Sequence, residues 1–239
     1  MQTMISIITP ILNEKQEIKT FLKHLNNQEG DFELILVDGG STDGTCEEIK
    51  IHRKLFDKQF TILQTTPGRA HQMNIGAQSA HGEILLFLHV DSTLEPGTLP
   101  AIQKTINTQD IIGGGLIQAF SNPDTFLQLT SNFGNFRIQL THIFFGDCGI
   151  FVKTDIFNKL GGYDNMPFLE DVEFCKKAKK YGTLRQLPKT ITTSPRRYHQ
   201  YGKIKITIIF SLVYLLNEIG LRPRFFRQYL CAKGDSEIL

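Results

Sequence analysis

The amino-acid sequence predicts an α/β protein whose mostly parallel central sheet is flanked by helices. Over the first 110 positions, short apolar runs that end in polar residues alternate with helical segments, an order typical of βαβ units. The chain has 239 residues, of which 41% are hydrophobic and 21% are charged. This length and composition are sufficient for a sizeable hydrophobic core in a globular domain.

The first half of the chain supplies the clearest elements. Helical spacing of Ile18, Phe21, Leu22 and Leu25 predicts a helix with one apolar face. The apolar run 84–88 is continuous, which is typical of a strand that is buried on both faces. In chain order, we predict strands over 4–12, 32–37, 60–63 and 83–91, and helices over 15–28, 45–55, 69–80 and 96–106.

The second half is less regular, and it contains no repeat or flexible linker. We predict strands over 113–120 and 145–152, one or two strands over 183–193, and helices over 124–144, 154–160 and 171–181. Residues 1–202 are therefore predicted to form a single domain with halves at 1–110 and 111–202. Residues 203–239 would add a C-terminal helical extension.

Bulk properties exclude several classes of protein. The net charge of +2 gives no reason to expect a nucleic-acid partner. Four cysteines lie far apart, which favours free thiols in a cytoplasmic protein over a disulfide framework or a zinc site. The N-terminus shows no signal-peptide pattern, and no apolar run reaches the ~18 residues that a membrane-spanning helix needs.

Polar residues stand where the predicted strands end. Asn13 follows the first strand, Asp38 the second and Asp91 the fourth, while Arg69 opens a helix directly after Gly68. Right-handed crossovers bring the carboxyl ends of parallel strands to one edge of a sheet, where ligands bind. We therefore expect Asn13, Asp38, Arg69 and Asp91 to converge. A solvated turn remains the alternative for Asp38, and a surface position remains the alternative for Arg69.

His89 and Asp91 are two residues apart, so in a strand they would project from the same side. A carboxylate there suits Mg²⁺ or Mn²⁺ that also binds phosphate oxygens. His89 can be a second ligand, a hydrogen-bonding neighbour of a ligand, or a packed imidazole.

Two further charged pairs have two interpretations each. Glu170 and Asp171 begin a predicted helix, so they can act as capping acids or supply a general base. Arg196 and Arg197 can form a solvated basic loop, or one of them can face a phosphate.

Taken together, six short motifs resemble those of family 2 glycosyltransferases, which have the Rossmann-like GT-A fold. The resemblance covers approximately residues 4 to 200, and the order of the motifs is more specific than any one of them. The motifs are Ile8 to Glu14, Val37 to Thr45, Arg69 with Asn74-Ile75-Gly76, Phe87 to Asp91, Gly161 to Asp164, and Glu170 to Glu173.

The resemblance implies a role for each matching position. Pro10, Asn13, Glu14, Asp38, Arg69, Asn74 and Arg197 would bind the nucleotide. Asp91 would ligate Mn²⁺ or Mg²⁺, and His89 stands where the family has the first acid of its D-x-D motif. Asp171 would be the base that activates the acceptor, with Glu170 as the second choice. The loops 146–149 and 164–168 would shape the acceptor side.

The implied reaction moves a sugar from a UDP- or GDP-sugar to an acceptor hydroxyl with inversion. The acceptor is unknown, and a lipid-linked one is among the candidates. One rival is a nucleotidyltransferase, which needs a Gly-rich loop with a basic residue where this chain has residues 10–14. A second rival is a non-catalytic module that binds nucleotide sugars, with His89 marking a decayed metal site.

The C-terminal segment has three interpretations. Residues 204–216 are rich in Ile, Leu, Phe and Val, and several arginines follow. The segment can be a helix packed on the core, a homodimer interface, or an interfacial helix that brings residues 204–230 to the inner face of the membrane.

Overall fold

The computed structural model of the protein describes residues 3–54, 56–108, 110–166, 168–221 and 224–230. The strands are β1 (Ile5–Ile11), β2 (Phe32–Asp38), β3 (Gln59–Gln64), β4 (Ile84–Phe87), β5 (Ser92–Leu94), β6 (Ile111–Phe120), β7 (Ile150–Lys153) and β8 (Thr183–Thr193). The α-helices are α1 (Lys15–Asn26), α2 (Thr45–Arg53), α3 (Arg69–Gln78), α4 (Thr98–Ile106), α5 (Thr125–Thr141), α6 (Thr154–Lys159), α7 (Glu170–Ala178), α8 (Arg196–Tyr201), α9 (Lys203–Glu218) and α10 (Arg227–Leu230). Two 3₁₀ turns cover Gly146–Cys148 and Arg224–Phe226.

All these strands join one sheet in the order β3-β2-β1-β4-β7-β6-β8-β5. The pairings among β3, β2, β1 and β4 are parallel, and so is the pairing of β6 with β8. β7 runs antiparallel to both of its neighbours, and β5 runs antiparallel to β8. The prediction of an α/β fold with a mostly parallel sheet flanked by helices is confirmed.

The core lies on both faces of the sheet because the central strands are apolar at almost every position. Successive side chains of each strand point to opposite faces of the sheet. On one face Ile7 and Leu34 pack with α1, and on the other face Ile8 and Ile35 pack with α3. The predicted apolar face of α1 is buried. Each central strand is therefore covered on both sides, as its sequence predicted.

One expectation about the fourth strand is wrong. β4 ends at Phe87, and residues 88–91 form a turn before β5 begins at Ser92. The Ser92 N–H donates to the His89 carbonyl at 3.1 Å, which closes this turn. His89 and Asp91 therefore do not project from the same side of a strand.

The strand β7 runs in the opposite direction to β4 and begins later than the sequence predicted. Because β7 is antiparallel to β4, Ile150 at its beginning pairs with Phe87 at the end of β4. The amino end of β7, with the 3₁₀ turn that precedes it, therefore lies at the same edge as the carboxyl ends of the parallel strands. The predicted strand over 145–152 is shorter because that turn occupies Gly146–Cys148.

Other boundaries differ less. The long predicted helix ends at Thr141, where His142 adopts a left-handed conformation. Residues 183–193 form one strand, and the segment that begins at Arg196, for which a basic loop was one alternative, is the short helix α8.

Two glycines permit contacts that a side chain would block. A Cβ at Gly114 would lie 1.8 Å from the Arg185 carbonyl, so β6 approaches β8 more closely than other residues allow. A Cβ at Gly76 would lie 2.5 Å from Ile8 Cγ2. The close packing of α3 on the sheet that the sequence suggested for Gly76 is therefore present.

A buried polar network lies near the amino ends of β1 and β2. The Glu33 carboxylate is 1% exposed and accepts hydrogen bonds from Ser6 Oγ and the His81 N–H, both at 2.6 Å. Burial acts to raise the pKa of Glu33, but these hydrogen bonds and the His81 ring outweigh it and hold the pKa below its usual value.

The C-terminal helix α9 packs beside α5 and buries Ile206, Ile209, Val213 and Asn217. The described part of the chain contains no helix with the length and apolar character needed to cross a membrane. Residues 222, 223 and 231–239 of the predicted extension, which include Cys231, lie outside the described residues. The other cysteines, Cys46, Cys148 and Cys175, are free thiols.

Candidate active site

The predicted convergence at the carboxyl edge of the sheet is present in the structure. The Gln72 side chain, one turn into α3, donates to the carbonyls of Ile11 and Val37 at 2.9 and 2.8 Å. These bonds fix the start of α3, and with it Arg69, to the ends of β1 and β2. Asp38 is the last residue of β2.

Arg196 joins this edge to the turn that follows β4. Its guanidinium donates to both carboxylate oxygens of Glu14 at 2.8 and 2.9 Å, and its Nε lies 3.4 Å from Asp91 Oδ2. Residues that are far apart in the chain thus meet here, because β8 ends beside the beginning of β5 and delivers α8 to this edge.

A second group surrounds the acids that begin α7. Arg69 Nε donates to Glu170 Oε1 in a short ion pair, and Arg69 Nη2 lies 3.7 Å from Asp171 Oδ2. The Gly146 N–H donates to Asp171 Oδ2 at 2.6 Å. A Cβ at Gly146 would lie 3.1 Å from His89 Nε2 and 3.3 Å from Asp171 Oδ2, so both side chains pack against this glycine.

Burial and neighbouring charges give these groups unusual acidities. Burial, together with the adjacent Glu170 carboxylate, raises the pKa of Asp171 to about 6, although Arg69 opposes the rise. Burial and the positive charges of Arg69, Arg197 and Arg196 lower the pKa of His89 to about 3. His89 is therefore a neutral imidazole near pH 7, and Asp171 is a carboxylate that accepts a proton readily.

Asp91 is a largely buried carboxylate beside Arg196. Its side chain is 14% exposed, and burial raises its pKa while Arg196 opposes the rise. Among the described residues, no group of three or more His, Cys, Asp and Glu side chains could hold a metal ion by itself. A divalent cation at Asp91 would therefore need oxygens from a bound ligand, as Mg²⁺ often does.

The loop after β2 is held by its own polar side chains. Asp38 accepts hydrogen bonds from the N–H and hydroxyl of Ser41. Asn13 Oδ1 accepts the Thr42 N–H at 2.9 Å, and the Ser41 hydroxyl accepts the Asn13 N–H at 2.9 Å. These hydrogen bonds hold the loop beside Pro10, which pairs with Val37 in the sheet.

Residues 6–161 match the model of glycosyl transferase family 2. The chain belongs to this family. It is therefore a glycosyltransferase, and its fold is GT-A.

Curated relatives of this family 2 glycosyltransferase carry the same general activity. Glycosyltransferase AglE of Haloferax volcanii is 22% identical over 263 aligned positions, which cover 97% of this chain and 86% of that protein. A PGL/p-HBAD biosynthesis glycosyltransferase of Mycobacterium tuberculosis is 37% identical over 125 residues. That match covers 50% of this chain and 49% of the mycobacterial protein, so the chain aligns with about half of that relative's length.

A solved structure shows the same fold. The mannosyltransferase PcManGT of Pyrobaculum calidifontis, in complex with GDP-Man and Mn²⁺, superposes with a TM-score of 0.74 at 21% identity. The similarity covers 96% of this chain and 68% of that chain.

Asn74 is placed differently from the other predicted site residues of this glycosyltransferase. Its Nδ2 donates to the Tyr163 carbonyl at 2.8 Å, and its Oδ1 accepts the Tyr163 N–H at 2.9 Å. In this arrangement Asn74 fastens the turn 161–163 to α3, and a nucleotide contact by Asn74 stays a prediction.

Arg196 and Asp147 enter the site although neither was among the predicted site residues. The sequence offered Arg196 only as half of a basic pair, and the charges of both arginines lower the pKa of His89. Asp147 lies in the loop that was expected to shape the acceptor side. Its pKa is raised by burial and lowered in part by Arg69, Arg137 and Arg197.

Proposed function

We propose that this glycosyltransferase moves a sugar from a nucleoside diphosphate sugar to an acceptor hydroxyl, with inversion at the anomeric carbon. The observation that carries the proposal is the environment of Asp171. This carboxylate is 4% exposed, lies beside a second acid, and is held by the Gly146 N–H at the edge where Arg69 and His89 lie. A buried acid with a raised pKa in such a place suits a general base.

In the proposed step, Asp171 takes the proton of the acceptor hydroxyl. The acceptor oxygen forms a bond to the anomeric carbon while the bond from that carbon to the diphosphate oxygen breaks. Attack from the face opposite the leaving group inverts the configuration. Glu170 is the weaker candidate for the base, because its carboxylate is paired with Arg69.

The nucleoside diphosphate leaves with additional negative charge, which positive groups at the same edge would stabilise. Arg69 and Arg196 have their guanidinium groups at this edge, and the charge of Arg197 also acts on His89 and Asp91. We therefore assign phosphate contacts to Arg69 and Arg197, with Arg196 as an additional candidate.

A divalent cation, Mn²⁺ or Mg²⁺, fits Asp91, since one carboxylate and the diphosphate oxygens are a common ligand set for such ions. When bound, the cation would neutralise charge on the leaving diphosphate. His89 is neutral, which is the form that can ligate a metal, so it remains the candidate second ligand. Pro10, Asn13, Glu14 and Asp38 are the candidates for the nucleoside pocket, because they line the ends of β1 and β2.

Titration calorimetry with UDP and GDP, each with and without Mn²⁺, tests the metal assignment. We expect Asp91→Ala to abolish the part of nucleotide affinity that depends on Mn²⁺, because the cation loses its protein carboxylate. Asp57→Ala is the matched control, since Asp57 is exposed near the start of β3, at the opposite edge of the sheet. Unchanged Mn²⁺-dependent affinity in Asp91→Ala would contradict the assignment.

The same samples test catalysis. Slow Mn²⁺-dependent release of UDP or GDP from sugar nucleotides would support an enzyme that transfers sugar. Tight nucleotide binding without release or transfer from any donor would instead favour a non-catalytic binding module.

A further inference from the structure

Exposed apolar side chains are concentrated in one part of the molecule. Among the described residues, thirteen large apolar side chains are exposed, and eleven of them lie in α5 or in residues 204–225. The exceptions are Ile51 and Tyr181. Contiguous apolar surface of this kind marks an interaction site more often than scattered single residues do.

On α5, the exposed apolar residues form one stripe. They follow one another at intervals of four, three and four residues, the spacing of a single helix face. The face that packs on the protein carries Leu127, Ser131 and Ile138. The stripe on the opposite face consists of Leu129, Phe133, Phe136 and Leu140, which are 56–72% exposed.

A second stripe runs along α9. The buried residues of α9 lie on one side, and the exposed apolar residues lie on the opposite side at intervals of three or four. Their exposed fractions are between 42% and 70%. This stripe consists of Ile204, Ile208, Leu212, Leu215 and Ile219.

The two helices lie side by side and run in the same direction. At their amino ends, Lys203 of α9 forms an ion pair with Asp124, the N-cap of α5. Further along, the Arg137 guanidinium of α5 lies 5.2 Å from the centre of the Tyr214 ring of α9. Because both buried faces point into the protein, both stripes point outward and form one surface. We call these nine residues the α5–α9 face.

Charge is distributed unevenly along this part of the chain. The whole chain has 26 basic and 24 acidic residues, yet residues 196–233 contain eight Lys and Arg and a single acid, Glu218. Residues 125–146, which include α5, contain one basic residue and no acid. Arg196 and Arg197 act at the active site, whereas Lys203 and Lys205 lie on α9 at the amino end of its apolar stripe. An apolar helix face with basic residues beside it is the pattern of helices that lie in the interface of an anionic membrane.

We propose that the α5–α9 face docks this enzyme on an anionic lipid bilayer, where it presents the active site to an acceptor that carries a lipid tail. The acceptor class rests on the proposed function, whereas the docking does not.

The face adjoins the acceptor side of the site. The Phe145 ring lies 5.9 Å from the Tyr214 ring and 4.3 Å from the Arg137 guanidinium. The next residue is Gly146, whose N–H binds the candidate base Asp171. A bilayer on the α5–α9 face would therefore hold a lipid-borne hydroxyl on the side of the enzyme where the proton is removed.

Co-sedimentation with vesicles tests the docking. The probes are phosphatidylcholine vesicles with and without phosphatidylglycerol, at low and high NaCl concentration. We expect the wild type to bind the vesicles that contain phosphatidylglycerol, and to bind less at high salt. Two double variants, Phe133→Ser with Phe136→Ser and Ile208→Ser with Leu215→Ser, should each lower the partition coefficient more than about tenfold. Ile51→Ser on α2 is the control and should bind as the wild type does.

The results that would refute the docking proposal can be told apart. If the wild type stays in the supernatant with both kinds of vesicle, the docking is refuted. If it is a dimer by light scattering, and the same double variants make it a monomer without changing sedimentation, the face is a contact between copies. Thermal unfolding of each variant checks that it is folded. Calorimetry with UDP and GDP on the same preparations tests the proposed function separately, since loss of nucleotide binding would leave vesicle binding intact.

Discussion

Asp171→Asn tests two consequences of burying this acid, which are a lower stability at pH 7 and a carboxylate that can act as the general base. The substitution keeps the size of the side chain and its ability to accept the Gly146 N–H, but it removes the ionisable group. We expect the variant to be more stable than the wild type at pH 7 and to be severely impaired in sugar transfer.

The magnitude follows from the pKa of Asp171, which burial and Glu170 raise from an ordinary value of 3.8 to about 6. This difference corresponds to roughly 3 kcal/mol of unfavourable free energy for the charged form in the folded protein. This value already includes the opposing attraction of Arg69, so we expect a stabilisation of up to about 3 kcal/mol. In a chain of this size each kcal/mol raises the melting temperature by about 2–4 °C. Loss of a general base lowers the transfer rate by about 10²–10⁴-fold.

The pH dependence has a definite sign. Between about pH 6 and pH 4, the folded wild type binds a proton at Asp171 and the unfolded chain does not, so the wild type gains stability as the pH falls. The variant has no such proton to bind. The advantage of Asp171→Asn should therefore be full above about pH 6 and disappear by about pH 4. Transfer by the wild type should decline below about pH 6, as the base becomes protonated.

Thermal unfolding from pH 4 to pH 8 measures the first effect, and transfer rates with a saturating sugar nucleotide measure the second. Asp57→Asn makes the same chemical change at an exposed position and should alter neither. A variant that melts below the wild type at pH 7 would refute the burial argument. A variant that retains transfer would move the role of the base to Glu170 or to another group.

Two further predictions concern stability. Gly76→Ala should cost about 1–3 kcal/mol in urea unfolding, because the new methyl group would meet Ile8 at 2.5 Å. Gly134→Ala, whose methyl group would have no atom within 4 Å, should instead stabilise α5 by up to about 1 kcal/mol. Equal effects of the two substitutions on stability would contradict the close packing of Gly76 against Ile8. Glu33→Gln should cost about 1–3 kcal/mol at pH 7, since it breaks a buried network. That cost should shrink as the pH falls through the lowered pKa of Glu33. A cost that does not change with pH would contradict the stabilising role of the Glu33 carboxylate.

The sequence predicted the first half of the fold well because each element there carries a local signal. The apolar face of α1 repeats at helical spacing, and β1, β2 and β4 are apolar at almost every position. These patterns depend on neighbouring residues only. The end of β4 was misjudged because Leu88 and Val90 extend the apolar pattern beyond Phe87, although the hydrogen bond from the Ser92 N–H to the His89 carbonyl closes a turn there.

The candidate active site was predicted only in part, because some of its contacts follow from the order of the elements and others do not. Topology alone brings the ends of parallel strands together, so the convergence of Asp38, Arg69 and Asp91 followed from the order of the elements. The pairing of Arg196 with Glu14 joins residues that are 182 positions apart. No local pattern carries such a contact.

The sequence by itself determined the fold class, the family and the edge of the sheet where the chemistry would lie, because each depends on local patterns and on the order of motifs. Only the tertiary structure decided which charges meet there and which surface stays uncovered. The antiparallel direction of β7 brings Gly146 to Asp171, and the parallel packing of α5 and α9 joins two apolar stripes into one face. Both depend on contacts between distant segments, and burial, which sets the acidity of Asp171, exists only once those contacts have formed.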